Sequence, residues 1–202
     1  MLTHFLRRHL LGLLAAGLLL ALLPATAQAQ ARPQPVNPQP AADAVKPGLL
    51  PRYYRNITFN YIDELVNIAR DASAGETGQP VAVIDQISAR GNMWDSKMHQ
   101  LFGIRFDGLI RLEPGLHHFV ANSNDGVRVY IGDTRIIDDP DVHPDRLSDP
   151  APVRIAAAGW YPLRIWYFQK RNTATLQFLW QRQGSEKFEV VPTGMLGHLP
   201  PK

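Results

Sequence analysis

Residues 122–138 read Asn-Ser-Asn-Asp-Gly-Val-Arg-Val-Tyr-Ile-Gly-Asp-Thr-Arg-Ile-Ile-Asp. Val127, Val129 and Ile131 alternate with Arg128 and Tyr130, so a strand here carries one apolar face. Gly132-Asp133 is a two-residue hairpin loop, and Arg135-Ile136-Ile137 is the returning strand. Working outward, the same texture repeats. Leu109 to Leu112 and Leu116 to Val120 flank the turn Glu113-Pro114-Gly115. Leu163 to Phe168 and Thr175 to Trp180 flank Arg171-Asn172, and Leu176, Phe178 and Trp180 share a face. Short strands at regular spacing predict an all-β chain, an antiparallel β-sandwich or barrel, rather than βαβ units. One short helical insertion interrupts it. Asn60 reads as its cap, with Asp63 and Glu64 in the first turn. Ile62, Leu65, Val66 and Ala69 form a stripe that docks on the sandwich, and Ala74-Gly75 ends the segment.

Composition sets the bounds. Of 202 residues, 45% are apolar and 19% charged, an ordinary globular balance. Cysteine is absent, which excludes a disulfide framework, a thiolate metal site and a catalytic thiol. The formal charge of +3 comes from the N-terminal stretch: from residue 48 onward there are 17 basic and 17 acidic residues. A neutral domain has no electrostatic footprint for a phosphate backbone, so nucleic acid is excluded as a partner.

The first residues read as an address. Arg7 and Arg8 precede Leu10–Leu23, a 14-residue run of Leu, Ala and Gly, then Pro24 and Ala25-Thr26-Ala27. This is the pattern of a secretory signal peptide over residues 1–27, with a cut after Ala29 as the alternative. The run is shorter than the roughly 20 residues of a membrane span, so the mature protein has no integral span. It is exported, to the periplasm or the extracellular space. Residues 28–47 contain Pro33, Pro35, Pro38, Pro40 and Pro47 among Ala and Gln. They predict an extended spacer of roughly 3 Å per residue that carries no core residue. One domain then occupies residues 48–199.

Catalytic signatures are missing: there is no G-x-x-x-x-G-K, G-x-G-x-x-G, G-x-S-x-G or H-E-x-x-H. His117 and His118 are adjacent on a strand and face opposite ways, so they cannot chelate one ion together. The chain reads as a non-enzyme. Two other features invite attention. Asn122-Ser123-Asn124-Asp125-Gly126 has oxygen ligands of the kind calcium takes, and is equally a good turn in which Gly126 supplies a positive φ. Asp133 to Asp149 holds six acids against Arg135 and Arg146, a solvated loop or a source of ligands.

The order of motifs resembles a known family. Gly48-Leu49-Leu50-Pro51-Arg52-Tyr53-Tyr54 is similar to its opening, and Phe102 to Gly108 to its "F-x-x-R-W-x-G" strand. Glu113 to Phe119, Asn122 to Asp138, Ala158 to Phe168, Ala174 to Trp180 and Val191-Pro192 follow in the family's order. The family is the PA-fourteen (PA14) domain, after the fourteen-kilodalton piece of anthrax protective antigen. The resemblance implies a secreted β-sandwich that binds carbohydrate. It also implies a calcium site: in lectin members two adjacent aspartates, joined by a cis peptide, hold Ca²⁺ against sugar hydroxyls. Those positions here are Asn124 and Asp125, so one charge is lost. The insertion around Tyr61 to Ala74 departs from the family pattern.

The resulting expectation is an exported, non-catalytic, lectin-like module for a glycan or a cell-envelope polysaccharide. Asn124 and Asp125 are its candidate ligand-binding and metal residues, and Ca²⁺ is the cofactor the resemblance implies. Trp94, in Gly91-Asn92-Met93-Trp94-Asp95, is the candidate stacking aromatic, with a core position as its other reading. The alternative function is an envelope or extracellular assembly module with a protein partner and no sugar.

Overall fold

The structure is a computed structural model that describes residues 32–200. In chain order its elements are β1 (Lys46–Pro47), β2 (Leu50–Arg55), α1 (Ile62–Ile68), β3 (Glu76–Thr77), β4 (Asp85–Ser88), β5 (Phe102–Leu112), β6 (Gly115–Asn124) and β7 (Val127–Ile131). There follow β8 (Thr134–Asp139), β9 (Arg146–Leu147), β10 (Ala151–Ile155), β11 (Gly159–Gln169), β12 (Ala174–Gln181), β13 (Glu189–Val190), a 3-10 turn (Thr193–Met195) and β14 (Leu196–His198). Two antiparallel sheets face each other. One runs β1-β14-β5-β11-β7-β8, with β2 also on β5; the other runs β10-β6-β12-β13, with β4 on β12 and β9 on β6.

Alternation places the core. Ile104, Phe106, Ile110, Val129, Ile131, Leu163 and Ile165 point inward from the first sheet; Phe119, Ala121, Leu176, Phe178 and Trp180 meet them from the second. Phe119 and Phe178 stack at 5.4 Å. Of the adjacent histidines, His117 is buried and lies parallel to Trp180, while His118 is partly exposed. This is the opposite-face arrangement that strand geometry requires.

The helix forms where expected but is shorter, ending at Ile68. Its cap is Tyr61, not Asn60. The Asn60 amide instead donates to Glu64 Oε2 at 2.7 Å, so the acid reaches back over the helix start. Ile62 and Leu65 pack on Tyr54, Phe59, Trp166 and Phe168 in a second cluster outside the first sheet. Buried Arg128 fixes the helix from below, bonding Asp63 at 2.7 Å and Asp138 at 2.6 Å. Burial alone would lower its pKa, but the two carboxylates hold it above the ordinary guanidinium value.

The stretch expected to be a free spacer is in contact with the domain from Pro33, which is buried. Val36 N donates to the Trp160 carbonyl at 2.9 Å. The Gln39 carboxamide accepts from Trp160 N at 2.7 Å and donates to Trp160 O at 3.1 Å. The cause is a strand mismatch. β7 pairs with β11 only over Leu163–Tyr167, so the β11 backbone at Trp160 needs partners from elsewhere. Lys46–Pro47 then joins the sheet beside β14. The expected signal peptide, residues 1–27, lies outside the described residues, as do residues 28–31. Among the described residues no helix is long and apolar enough to cross a membrane.

Candidate functional site

At one end of the sandwich β6 turns into β7. The chain bends there at Asn124-Asp125, whose peptide bond is cis. Two further segments close around this turn: the loop after β8, with Val142 to Asp145, and the β11–β12 turn, Lys170 to Thr173. Together they enclose a cleft of about 590 Å³. The hairpin first read from the sequence therefore ends in a concave site.

Asp125 ties the three segments together. Its carboxylate accepts from the backbone N–H of Lys170 at 2.6 Å and of His143 at 3.3 Å. Its own backbone N–H donates to the Phe168 carbonyl at 3.1 Å. The residue is 3% exposed, and burial pushes its pKa above the ordinary carboxylate value despite those two bonds. Asn124 does the same work from the other side. Its Nδ2 donates to Asp145 Oδ2 at 3.3 Å and to Thr173 Oγ1 at 3.1 Å. The buried Tyr167 hydroxyl donates to the Asn124 carbonyl at 2.6 Å, and burial raises that phenol well above its usual pKa. The Thr175 hydroxyl facing Asp145, and after it the Asn124 amide, hold the Asp145 carboxyl below its ordinary value.

Gly126 is not where the turn reading expects it. It lies outside the left-handed region; the glycines there include Gly132 and Gly184. Glycine is needed for space: a Cβ would sit 2.5 Å from the Phe168 ring and 2.8 Å from the Pro140 carbonyl oxygen.

The structure brings Asn124 and Asp125 together in the cleft and leaves Trp94 out of it. Trp94 is half-buried, edge-on to Phe106 at 5.2 Å, with its backbone N–H donating to Gln86. It borders a separate shallow cleft with Tyr53 and Val81. The residues that reading the sequence missed are His143, Lys170 and Thr173, and Asp145 was seen only as one acid in a run. The acidic run folds back: Asp138 binds Arg128, and Asp139 binds Arg146 and lies 3.3 Å from His143 Nε2. An exposed aromatic does stand beside the cleft loop. Tyr61 is 55% exposed, and its backbone bridges to Asp141, next to cleft-lining Val142.

The donor set does not fit a resident calcium ion. Calcium takes six to eight oxygens. Here Asn124 turns its nitrogen, not its oxygen, toward Asp145 and Thr173, and both Asp125 oxygens are engaged by backbone N–H groups. Among the described residues no three acidic or histidine groups are placed to share a metal.

Comparisons with known proteins agree with this architecture. The chain spans about half the length of the anti-sigma factor domain-containing proteins it is similar to. The one from Clostridium clariflavum is 21% identical, with 77% of this chain and 48% of that chain covered and a TM-score of 0.61. A PA14 sugar-binding domain from an RTX adhesin is 14% identical, covering 76% and 99%, at a TM-score of 0.61. The Epithelial Adhesin 9 A domain from Candida glabrata, solved with Galβ1-3GlcNAc, is 14% identical, covering 85% and 97%, at a TM-score of 0.66. These likenesses establish the fold. No curated protein matches the sequence. The profile described as "PA14 domain" matches residues 66–194, well over half of the chain. By that match, and by the sandwich described above, the chain belongs to the PA14 domain family.

Proposed function

We propose that this protein is an exported, non-catalytic carbohydrate-binding module whose sugar site is the cleft at the Asn124-Asp125 turn. The observation that carries the reading is the convergence of three segments on one concave site lined by both polar and apolar groups. Sugar hydroxyls each donate and accept. Asp145 offers an acceptor, Thr173 a hydroxyl and Asn172 an amide, all on exposed residues lining the cleft. Asp125 and Asn124 shape the site by fixing the backbones that carry those groups. Tyr61 supplies the exposed ring against which an apolar sugar face can stack. The adhesin neighbours named above support the sugar reading. Export rests on the charge and Ala-x-Ala pattern of residues 1–29, and places the module in the periplasm or outside the cell.

A glycan array probed with the mature protein tests this, with Asp145→Ala and Thr173→Ala as cleft variants. Binding to a defined glycan set, lost in both variants, is the expected result; no glycan bound by folded protein refutes it. A second reading, a protein-assembly module, is favoured by exposed Ile87 and Leu147 on strands of the six-stranded sheet. Under that reading the array stays blank, and Leu147→Glu abolishes capture of an envelope protein.

A further inference from the structure

We propose that the Asn124 carboxamide takes the place of a cation in this cleft, so that the site is assembled without metal and a single substitution converts it to a metal-dependent one. The inference goes beyond the sugar reading, since its test needs no glycan.

The geometry is that of an oxygen pocket with a nitrogen at its centre. Asp145 Oδ2 and Thr173 Oγ1 come from different segments, the loop after β8 and the β11–β12 turn. Asn124 bridges that pair, adding to the links that Asp125 makes to both segments. Asn124 Nδ2 has two hydrogens and two acceptors, at 3.3 and 3.1 Å, so both are spent. The opposite amide orientation would set Oδ1 against the Asp145 carboxylate, and the network therefore fixes which end points where. The neighbouring carboxylate of Asp125 is occupied by the two backbone N–H groups that hold the same segments. The cleft thus closes on four hydrogen bonds made by two adjacent side chains, and the Asn124–Asp145 pair carries a single negative charge, that of Asp145.

A carboxylate at residue 124 reverses the local chemistry. Two carboxylates about 3 Å apart cannot both ionise without a counter-charge. The pair then holds a proton, draws on Lys170 or Arg171 of the same cleft, or recruits a divalent cation, and a calcium titration separates the last from the other two. Such a cation would find the oxygens of the introduced carboxylate and of Asp145 and the Thr173 hydroxyl.

The experiment is thermal unfolding of the mature protein in EDTA and in millimolar calcium chloride, with direct calcium titration by calorimetry. Wild type should show one melting curve in both buffers and no heat of calcium binding. Asn124→Asp should melt lower in EDTA and recover in calcium. At a hundredfold excess over Kd the recovery corresponds to about 2.7 kcal/mol. The exchange variant Asn124→Asp/Asp145→Asn restores an amide–carboxylate pair across the same gap, so it should fold and ignore calcium. It also keeps the test decisive if the single variant fails to fold. A wild type stabilised by calcium overturns the proposal. So does a single variant that is weakened yet unmoved by calcium, or an exchange variant that responds to calcium.

Discussion

Gly126→Ala separates space from backbone freedom as the reason for glycine in the central turn. Gly126 is outside the positive-φ region, so alanine meets no conformational penalty there. Indeed, a less flexible unfolded chain would favour the variant by about 0.4–1 kcal/mol. Against this stands the added methyl group, 2.5 Å from the Phe168 ring and 2.8 Å from the Pro140 oxygen. Neither neighbour yields easily. Phe168 is fully buried against Phe59, and the Pro140 carbonyl accepts from Ile62 N at the start of the helix at 2.9 Å. Overpacking of this kind costs about 1–3 kcal/mol, leaving a net loss of about 1.3 kcal/mol at the midpoints. Urea unfolding measures it. Gly184→Ala is the control, because Gly184 has φ +84° and no atom within 4 Å of the added methyl. Its loss would be purely conformational, about 1–2 kcal/mol. Trimming the neighbour gives the decisive comparison: in a Phe168→Leu background the Gly126→Ala loss should shrink by at least about 0.5 kcal/mol. A neutral Gly126→Ala, or a loss unchanged by Phe168→Leu, refutes the steric argument.

Other outcomes follow from the same geometry. Gln39→Ala removes both carboxamide bonds to Trp160 and should cost about 1 kcal/mol, because these bonds are exposed; a chain truncated to begin at Lys46 should lose at least as much in denaturant unfolding. The Arg128 hydrogen bond holds the Asp63 carboxyl below its ordinary value. Its stabilisation is therefore present above the unfolded pKa, about 3.9, and lost as pH falls through the folded value. Asp63→Asn should lower stability at neutral pH and leave it unchanged at the acid end of a pH series. Trp94→Ala should lower stability by about 2 kcal/mol, less than a fully buried Trp, without altering ligand uptake at the cleft. Tyr61→Ala should leave the melting curve in place and weaken glycan binding, with Tyr61→Phe retaining it.

Alternation made the sandwich legible. Val127, Val129 and Ile131 could face the core only on a strand, and Leu176, Phe178 and Trp180 could meet them only from a second sheet. The Asn124-Asp125 turn was readable because Asn-Asp-Gly together favour turns and Asn and Asp carry oxygens that ligate cations. Its partners were not. His143 and Lys170 reach Asp125 through backbone N–H groups, which every residue but proline carries, so no side-chain pattern marks them. Thr173 is an ordinary residue of a hairpin turn until Asn124, 49 positions earlier, bonds it. Gly126 misled because glycine signals both left-handed backbone and close approach, and only the packing of Phe168 separates the two. The proline-rich stretch misled for a related reason. Its composition excludes a core of its own, but not a place along a strand edge whose carbonyl and N–H need partners.

That edge has a consequence for how the protein behaves at high concentration. Bare strand backbone is a template for pairing with another chain, the route to domain swapping and aggregation. Here the end of β11 is covered by Val36 and Gln39 of the same molecule. The cover acts in cis, so dilution neither helps nor hinders it, and it lies N-terminal to the family-matched region at residues 66–194. A protease cutting at exposed Ala41 to Asp43 would free it while sparing both sheets. Losing that segment, which carries none of the core, would bare the Trp160 backbone of β11 for pairing with another chain.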